Sequence, residues 1–354
     1  MLFSVVFFSL VTLFFLRKVA ITIGLVDKPN ARKRHQGSIP LVGGISTTVV
    51  LSGVLLINPS ILFHSHVYIA CIGVLALLGA LDDKFDLSVT VRMGIQAALS
   101  LVMVFYADLS LSSLGNLLGF GTIELGLWGI GLTVIAVIAA INAFNMVDGI
   151  DGLLGGLSII TFFSIAILYM LQGHMEQASF CFVLIAALIP YLAMNLGLLG
   201  KNRKVFMGDA GSMVIGFTVI WLLLGLSQTP NHTVLKPVTA LWIIAIPLMD
   251  MTAIMYRRVR RGVSPFKPDR DHLHHIFQRV GFSPRKTLLV ITTLAALLAL
   301  IGISGEVLKA NESTMFYAFL IGFALYSTMI ARAWRFTRLV KRIQGEKSVV
   351  CQNE

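Results

Sequence analysis

Charged side chains are scarce in this chain. Only 13% of its 354 residues are Asp, Glu, Lys or Arg, and acids are the rarer sign, 17 against 28 Lys and Arg. A soluble domain clothes its surface in charge; with 56% apolar residues and a mean hydropathy of +0.86, this chain has too much apolar surface to hide from water. That excludes a soluble globular protein and leaves an all-α polytopic membrane protein, because helices satisfy their own backbone groups in lipid. Cysteine is equally sparse. Cys71, Cys181 and Cys351 are odd in number and scattered, which excludes a disulfide framework and a zinc site. There is no internal repeat and no low-complexity linker. No basic n-region and no small-residue cleavage site precede Arg17, so the apolar run from Met1 to Leu16 reads as a retained anchor, short for a span, with its N-terminus outside.

What the chain does have is long apolar runs. They cover Met1–Leu16, Leu41–Ile57, Val67–Leu81, Met93–Ala107, Ile130–Met146, Leu157–Leu171, Ala178–Leu196, Met213–Leu226, Val238–Met255, Leu288–Ile303 and Met315–Ala331, about eleven transmembrane helices. The Gly-rich piece Leu109–Gly129 fits no span and reads as an interfacial segment. With the N-terminus outside (periplasmic, in a bacterium) and the C-terminus cytoplasmic, the inner segments hold 26 of the 28 Lys and Arg, leaving only Lys236 and Lys309 outside. A bias that strong sets the orientation and favours an odd number of helices. It also explains the net charge of +11 without nucleic acid. Residues 1–334 form one integral membrane domain. Residues 335–354 form a basic tail, whose Arg335, Arg338 and Arg342 suit anionic headgroups.

The same assignment gathers the unusual loops on one face. Asn145, Asp148 and Asp151 are three residues apart, so a continuing helix would put two carboxylates and an amide on one side, a ligand set for Mg²⁺ or Mn²⁺. Gly149, Gly152, Gly155 and Gly156 strip side-chain bulk around them. Asp82 and Asp83 end the third helix, where two like charges oppose the helix dipole and ask for a cation. Gly208-Asp209-Ala210-Gly211-Ser212 opens the eighth helix, where free N–H groups suit phosphate and Asp209 a metal. The loop 256–286 is the most basic; its Arg258 suits phosphate, and His272, His274 and His275 suit phosphate binding, proton donation or metal ligation. Asp250, three residues after Pro247 inside the ninth helix, reads as a polar contact, with an Arg as one candidate partner.

Acids for a metal, a metal for phosphates and bases for the remaining charge describe a diphosphate site at the membrane edge. The rival reading is a transporter with Asp148 and Asp151 as its proton relay, which wants acids at mid-bilayer and paired broken helices.

Asp82-Asp83, Asn145-Met-Val-Asp148-Gly-Ile-Asp151-Gly152, Gly208-Asp209-Ala-Gly211-Ser212 and His272-Leu-His274-His275 resemble, in this order, the motifs of the polyprenyl-phosphate N-acetylhexosamine-1-phosphate transferases. Gly24-Leu-Val-Asp27-Lys28-Pro29-Asn30 and Pro40-Leu-Val-Gly43-Gly44 match as well. The likeness runs from Arg17 to about Trp334 and is nearest to the bacterial branch that uses undecaprenyl phosphate. It implies transfer of N-acetylglucosamine 1-phosphate from UDP-N-acetylglucosamine to undecaprenyl phosphate, releasing UMP. It further implies Mg²⁺ or Mn²⁺, residence in the bacterial inner membrane, a start to O-antigen or related surface polysaccharide, and a homodimer. By the same resemblance Asp82, Asp83, Asp148 and Asp151 are catalytic, and these four with Asp209 hold metal. Asn145, Arg258, His272, His274 and His275 bind substrate. Leu273 interrupts the His run, which favours this branch over the muramoyl-pentapeptide transferases.

Overall fold

The computed structural model describes residues 1–27, 37–228, 235–265 and 272–332. Lys28, Pro29, Asn30 and the tail arginines Arg335, Arg338 and Arg342 lie outside them. Thirteen α-helices occur among the described residues. In chain order they are α1 (Leu2–Ile23), α2 (Gly43–Ile57), α3 (Ser65–Phe85), α4 (Val89–Ala107), α5 (Trp128–Met146), α6 (Leu153–Leu171), α7 (Met175–Asn195), α8 (Gly208–Gln228), α9 (Pro237–Ile243), α10 (Ala245–Arg260), α11 (Leu273–Arg279), α12 (Pro284–Val307) and α13 (Glu312–Ala331). Two residue pairs, β1 (Val26–Asp27) and β2 (Ile39–Pro40), form a minimal antiparallel ribbon. The chain is a multi-pass helical membrane protein. Among the described residues nine helices are long and apolar enough to span, or ten when the bent pair α9–α10 counts as one span. The fifteen-residue α2 is shorter, and it makes the eleventh of the expected runs.

Two expectations change in detail. Helix α1 does not stop before Arg17. It runs on to Ile23 and closes at Gly24 in the left-handed conformation (φ 74°). Within it Arg17 reaches the Asn202 carbonyl, and Arg203 lies over the Phe14 ring. The run Val238–Met255 is not one helix but two, bent by 83° at Ile244. Pro247 supplies the cause: its ring clashes with the carbonyl four residues back, at Ile243, and it donates no N–H. The Gly-rich segment 109–127 is non-helical, as its composition suggested. It folds back on itself through a Ser113–Glu124 bridge and is tied to Gln228 and Glu312.

Helix α8 is the hub, with 89% of its apolar window buried. Lipid gives helices no hydrophobic reason to associate, so they pack by close contact of small residues. Three such contacts surround α8. A Cβ on Gly79 of α3 would fall into the Ala210 backbone, one on Gly44 of α2 into Gly211, and one on Gly216 into Ile141 of α5. Further along, Tyr68 of α3 shares a 2.7 Å hydroxyl contact with Thr218 and packs edge-on to Trp221. The tightest of these contacts lie at the end of the bundle that carries Asp82, Asp83 and Asp209.

Gly79→Ala should therefore lower the unfolding free energy in detergent by about 1–3 kcal/mol, the usual cost of overpacking. Gly73→Ala on the same helix, where a Cβ meets nothing within 4 Å, should leave the melting temperature unchanged or raised. Equal melting of the two variants would contradict the packing described.

Candidate active site

The site is built where α3, α5 and α8 end together. Because α3 and α8 touch at Gly79 and Ala210, Asp83 lands on the first turn of α8. Its two carboxylate oxygens accept the Asp209 backbone N–H at 3.1 and 3.0 Å. The N–H groups expected to meet phosphate are thus capped from another helix, by a carboxylate at the positive end of the α8 dipole. Asp82, one residue earlier and 5% exposed, faces the other way along the turn. Its Oδ1 accepts the Leu87 N–H at 2.8 Å and its Oδ2 accepts from Arg92 Nη1 at 2.6 Å. The same guanidinium lies 3.8 Å from Asp209 Oδ2. The cation that Asp82 asks for is present in the chain itself: Arg92, in the first turn of α4. Asn145, in the last turn of α5, donates at 2.8 Å to Asp209 Oδ1 and at 2.8 Å to Ser212 Oγ. Asp83, Asp209 and Asn145 thus form one hydrogen-bonded group, to which Arg92 joins Asp82.

Asp148 and Asp151 do not share a helical face with Asn145. Helix α5 stops at Met146, and residues 147–152 form a turn closed by Gly152 in the left-handed region (φ 79°). The Gly152 N–H donates to Asn195 Oδ1 at 2.6 Å, and Asn195 Nδ2 donates to the Val205 carbonyl at 3.0 Å. A buried amide at the end of α7 therefore ties the Asp148–Asp151 turn to the segment leading into α8. Lys204 pairs with Asp151 at 2.5 Å. The segment is also held from the side by α2, whose Gly43 and Gly44 N–H groups donate to the Phe206 and Met207 carbonyls at 2.9 and 3.0 Å.

The histidines arrive from α11. Asp250, 1% exposed, accepts from His272 Nδ1 at 2.8 Å, from the Leu273 N–H at 3.0 Å and from Tyr326 Oη of α13 at 2.6 Å. The partner of Asp250 is His272, not an Arg. This bond orients the imidazole and fixes its tautomer, with the proton on Nδ1. His274 is 2% exposed and lies where a Cβ of Gly149 would be, so the absence of a side chain at Gly149 admits the ring beside Asp148. Its Nε2 is buried without a partner among the described residues. Burial, reinforced by His275 4.2 Å away ring to ring, pushes its pKa down to about 3, against the pull of Asp250, so it is neutral at physiological pH. Arg258 is turned into its own loop and donates to the Pro265 carbonyl at 2.5 Å. Lys267, Asp269, Arg270 and Asp271 lie outside the described residues.

The structure thus brings nine of the ten residues singled out in the sequence to one end of the bundle, in three linked groups, and leaves Arg258 bracing its loop. Sequence reasoning did not single out Arg92, Lys204, Asn195 or Tyr326. Ten residues after Asp82 and just past the Ser88 cap of α4, Arg92 gave a signal that charge counting absorbed. Asn195, an amide at the end of an apolar run, gave the other. The donor set suits a hard cation: five carboxylates gather there, and among the described residues Arg92 pairs with Asp82 and Lys204 with Asp151. No three of the described acids or histidines form a closed metal cage. A Mg²⁺-type ion fits such a site because it takes one or two carboxylates and fills the rest of its shell with water and substrate phosphate.

His274 gives the folded protein a defined acid sensitivity. Above pH ~6.5 its ring is neutral folded and unfolded; below that the unfolded chain takes a proton that the folded one refuses. Stability falls as pH drops toward 3, by about 2 kcal/mol at pH 5 at ~1.4 kcal/mol per unit. His274→Gln should remove that part of the loss in denaturation curves at pH 7.5 and 5. Parallel losses in the two proteins would contradict a buried neutral His274.

The glycosyl transferase family 4 profile matches residues 65–227, the stretch from the start of α3 to the end of α8 that holds the acidic groups. Undecaprenyl-phosphate alpha-N-acetylglucosaminyl 1-phosphate transferase of Escherichia coli O157:H7 is 54% identical over 97% of this chain and 94% of its own. That of Yersinia pestis is 54% identical over 98% and 95%. That of Haemophilus influenzae is 52% identical over 95% of each. Identity above one half, sustained along nearly the whole of both chains, is more than one shared domain would give: the chain belongs to the family of undecaprenyl-phosphate alpha-N-acetylglucosaminyl 1-phosphate transferases, within glycosyl transferase family 4.

Proposed function

We propose that this transferase moves N-acetylglucosamine 1-phosphate from UDP-N-acetylglucosamine to undecaprenyl phosphate, giving undecaprenyl-diphospho-N-acetylglucosamine and UMP. The proposed setting is the cytoplasmic face of the bacterial inner membrane, as the first membrane step toward lipopolysaccharide O-antigen or a related surface polysaccharide. The relatives' names supply the acceptor and the sugar. The observation that carries the reading is the meeting of Asp82, Asp83, Asp209 and Asn145 with the Asp148–Asp151 turn and the His272–His275 helix at one end of the bundle. The excess of Lys and Arg on the expected inner segments supports setting that end in the cytoplasm.

A lipid phosphate oxygen attacks the sugar-linked phosphorus in line, one P–O bond of the diphosphate breaks, and UMP leaves. Asp83 and Asp209, with Asp148 and Asp151 across the α5–α6 turn, would hold a Mg²⁺ or Mn²⁺ that neutralises charge on the diphosphate. The chain itself does the positioning. Arg92 and Lys204 balance the acids between turnovers and are drawn to phosphate when it enters. Asp82 braces the turn between α3 and α4 and keeps Arg92 aimed at Asp209. Asp250 and Tyr326 hold His272 in one tautomer, so the ring meets substrate without reorganising. Neutral His274 fills the space beside Gly149 and keeps the Asp148 turn from collapsing.

Purified protein with undecaprenyl phosphate, UDP-N-acetylglucosamine and Mg²⁺ should release UMP, and chelation of divalent ions should stop it. Asp83→Asn and Asp148→Asn should each cost about a hundredfold or more in kcat. Asp250→Asn should lower kcat with little change in melting temperature and shift the pH profile, since it frees the His272 tautomer. Folded protein that releases no UMP from any UDP-sugar refutes the assignment, and a sugar phosphate trapped covalently on an Asp refutes the single-step route.

A further inference from the structure

The segment between α4 and α5 lies at the end of the bundle away from the candidate site, where α8 finishes at Gln228. No Asp, Glu, Lys or Arg occurs in residues 109–123. Its two arms pair antiparallel: the Leu114 N–H donates to the Ile123 carbonyl at 3.0 Å, and the Leu125 N–H to the Ser112 carbonyl at 2.9 Å. Alternation across such a pair puts Leu114, Ile123 and Leu125 on one face and Ser113 and Glu124 on the other. The apolar face is half-buried and Glu124 is exposed. Neighbouring helices hold the hairpin in place. Gln228 Oε1 accepts the Ser112 and Ser113 N–H groups at 3.0 and 3.1 Å, and Glu312, opening α13, accepts the Asn116 N–H at 2.9 Å.

What this held hairpin presents is apolar. Gly119 and Gly121 flank Phe120 at φ 87° and 117°, backbone that glycine adopts without strain. Between them Phe120 is 94% exposed, and Leu118 beside it 46%. Magnitude decides what covers them. An aromatic side chain buries about 150–250 Å². Two side chains on a tip fall well short of the ~800 Å² that each partner of a stable protein interface buries. A bilayer sets no such threshold and takes up single aromatic rings at its headgroup level. The tip also adjoins a surface that faces lipid. It rests on the first two turns of the spanning helix α13, where the Tyr317 hydroxyl donates to the Leu118 carbonyl at 3.4 Å and where Tyr317 and Ile321 are exposed. Leu127 and Trp128, where the hairpin rejoins α5, are exposed as well.

We propose that the 112–125 hairpin is a membrane anchor, whose Leu118 and Phe120 insert at the boundary of headgroups and acyl chains in the leaflet farther from the candidate site. Anchored there, it holds the ends of α5, α8 and α13 at one depth, through its own chain, Gln228 and Glu312.

Spin labelling of the full chain in vesicles of phosphatidylethanolamine and phosphatidylglycerol tests this, with a readout independent of the transferase reaction. The label goes on Phe120→Cys, with Cys351→Ser removing the tail thiol; Cys71 and Cys181 are buried. Power saturation compares collisions of the label with oxygen, which concentrates in hydrocarbon, and with a nickel chelate confined to water. At Phe120→Cys oxygen should dominate, and at Glu124→Cys, on the polar face, the order should reverse. Leu118→Cys should read as Phe120→Cys does, and it decides the matter if the latter does not fold. Dominance of the chelate at the tip overturns the proposal by leaving the hairpin in water. So do few collisions with either reagent, which would mean that protein, such as a second copy of this chain, covers the tip.

Discussion

A carboxylate from one membrane helix capping the first turn of another is the interaction on which this architecture rests. Asp83 can reach the Asp209 N–H only because α3 and α8 approach without side chains between them, at Gly79 and Ala210. At the N-terminus of α8 the carboxylate meets unsatisfied donors and the positive end of the helix dipole, worth up to ~2 kcal/mol in a partly buried setting. From there the other acids follow. Asp209 is fixed by its own capped backbone and takes the Asn145 amide, and Asp82, on the next residue, is fixed by Arg92 and the Leu87 N–H.

The remaining parts are hung on this frame by a buried amide and a buried carboxylate. Asn195 joins the Asp148–Asp151 turn to the segment entering α8. Asp250 gathers His272, the start of α11 and Tyr326 around one buried carboxylate. Buried polar groups of this kind are costly without partners, and Asn195 and Asp250 each have them. The labour is divided: Asp83, Asp148, Asp151 and Asp209 stay exposed or half-buried, and the buried polar groups hold the loops in register.

The bent α9–α10 pair shows how a local sequence rule acquires a structural role. Pro247 breaks the helix, and the break lets α10 lean onto α5, α12 and α13, so that Asp250 faces α11. A straight span through the same residues would place that carboxylate against a different set of neighbours.

Sequence alone determined the membrane class, the helical runs and the residue types of the site. These follow from hydropathy, from charge asymmetry between loops and from acids where lipid disfavours them, all local properties of the chain. The sequence did not determine how the acids are paired. The spacing of Asn145, Asp148 and Asp151 suggests one helix face, but α5 ends at Met146, and the turn that follows enters α6 at a left-handed Gly152 whose N–H is accepted by Asn195, 43 residues away. Arg92, Lys204 and Tyr326 became visible only in three dimensions for the same reason. A charge or hydroxyl on a helix end is unremarkable until another helix, brought within reach by glycine contacts, supplies the group it answers.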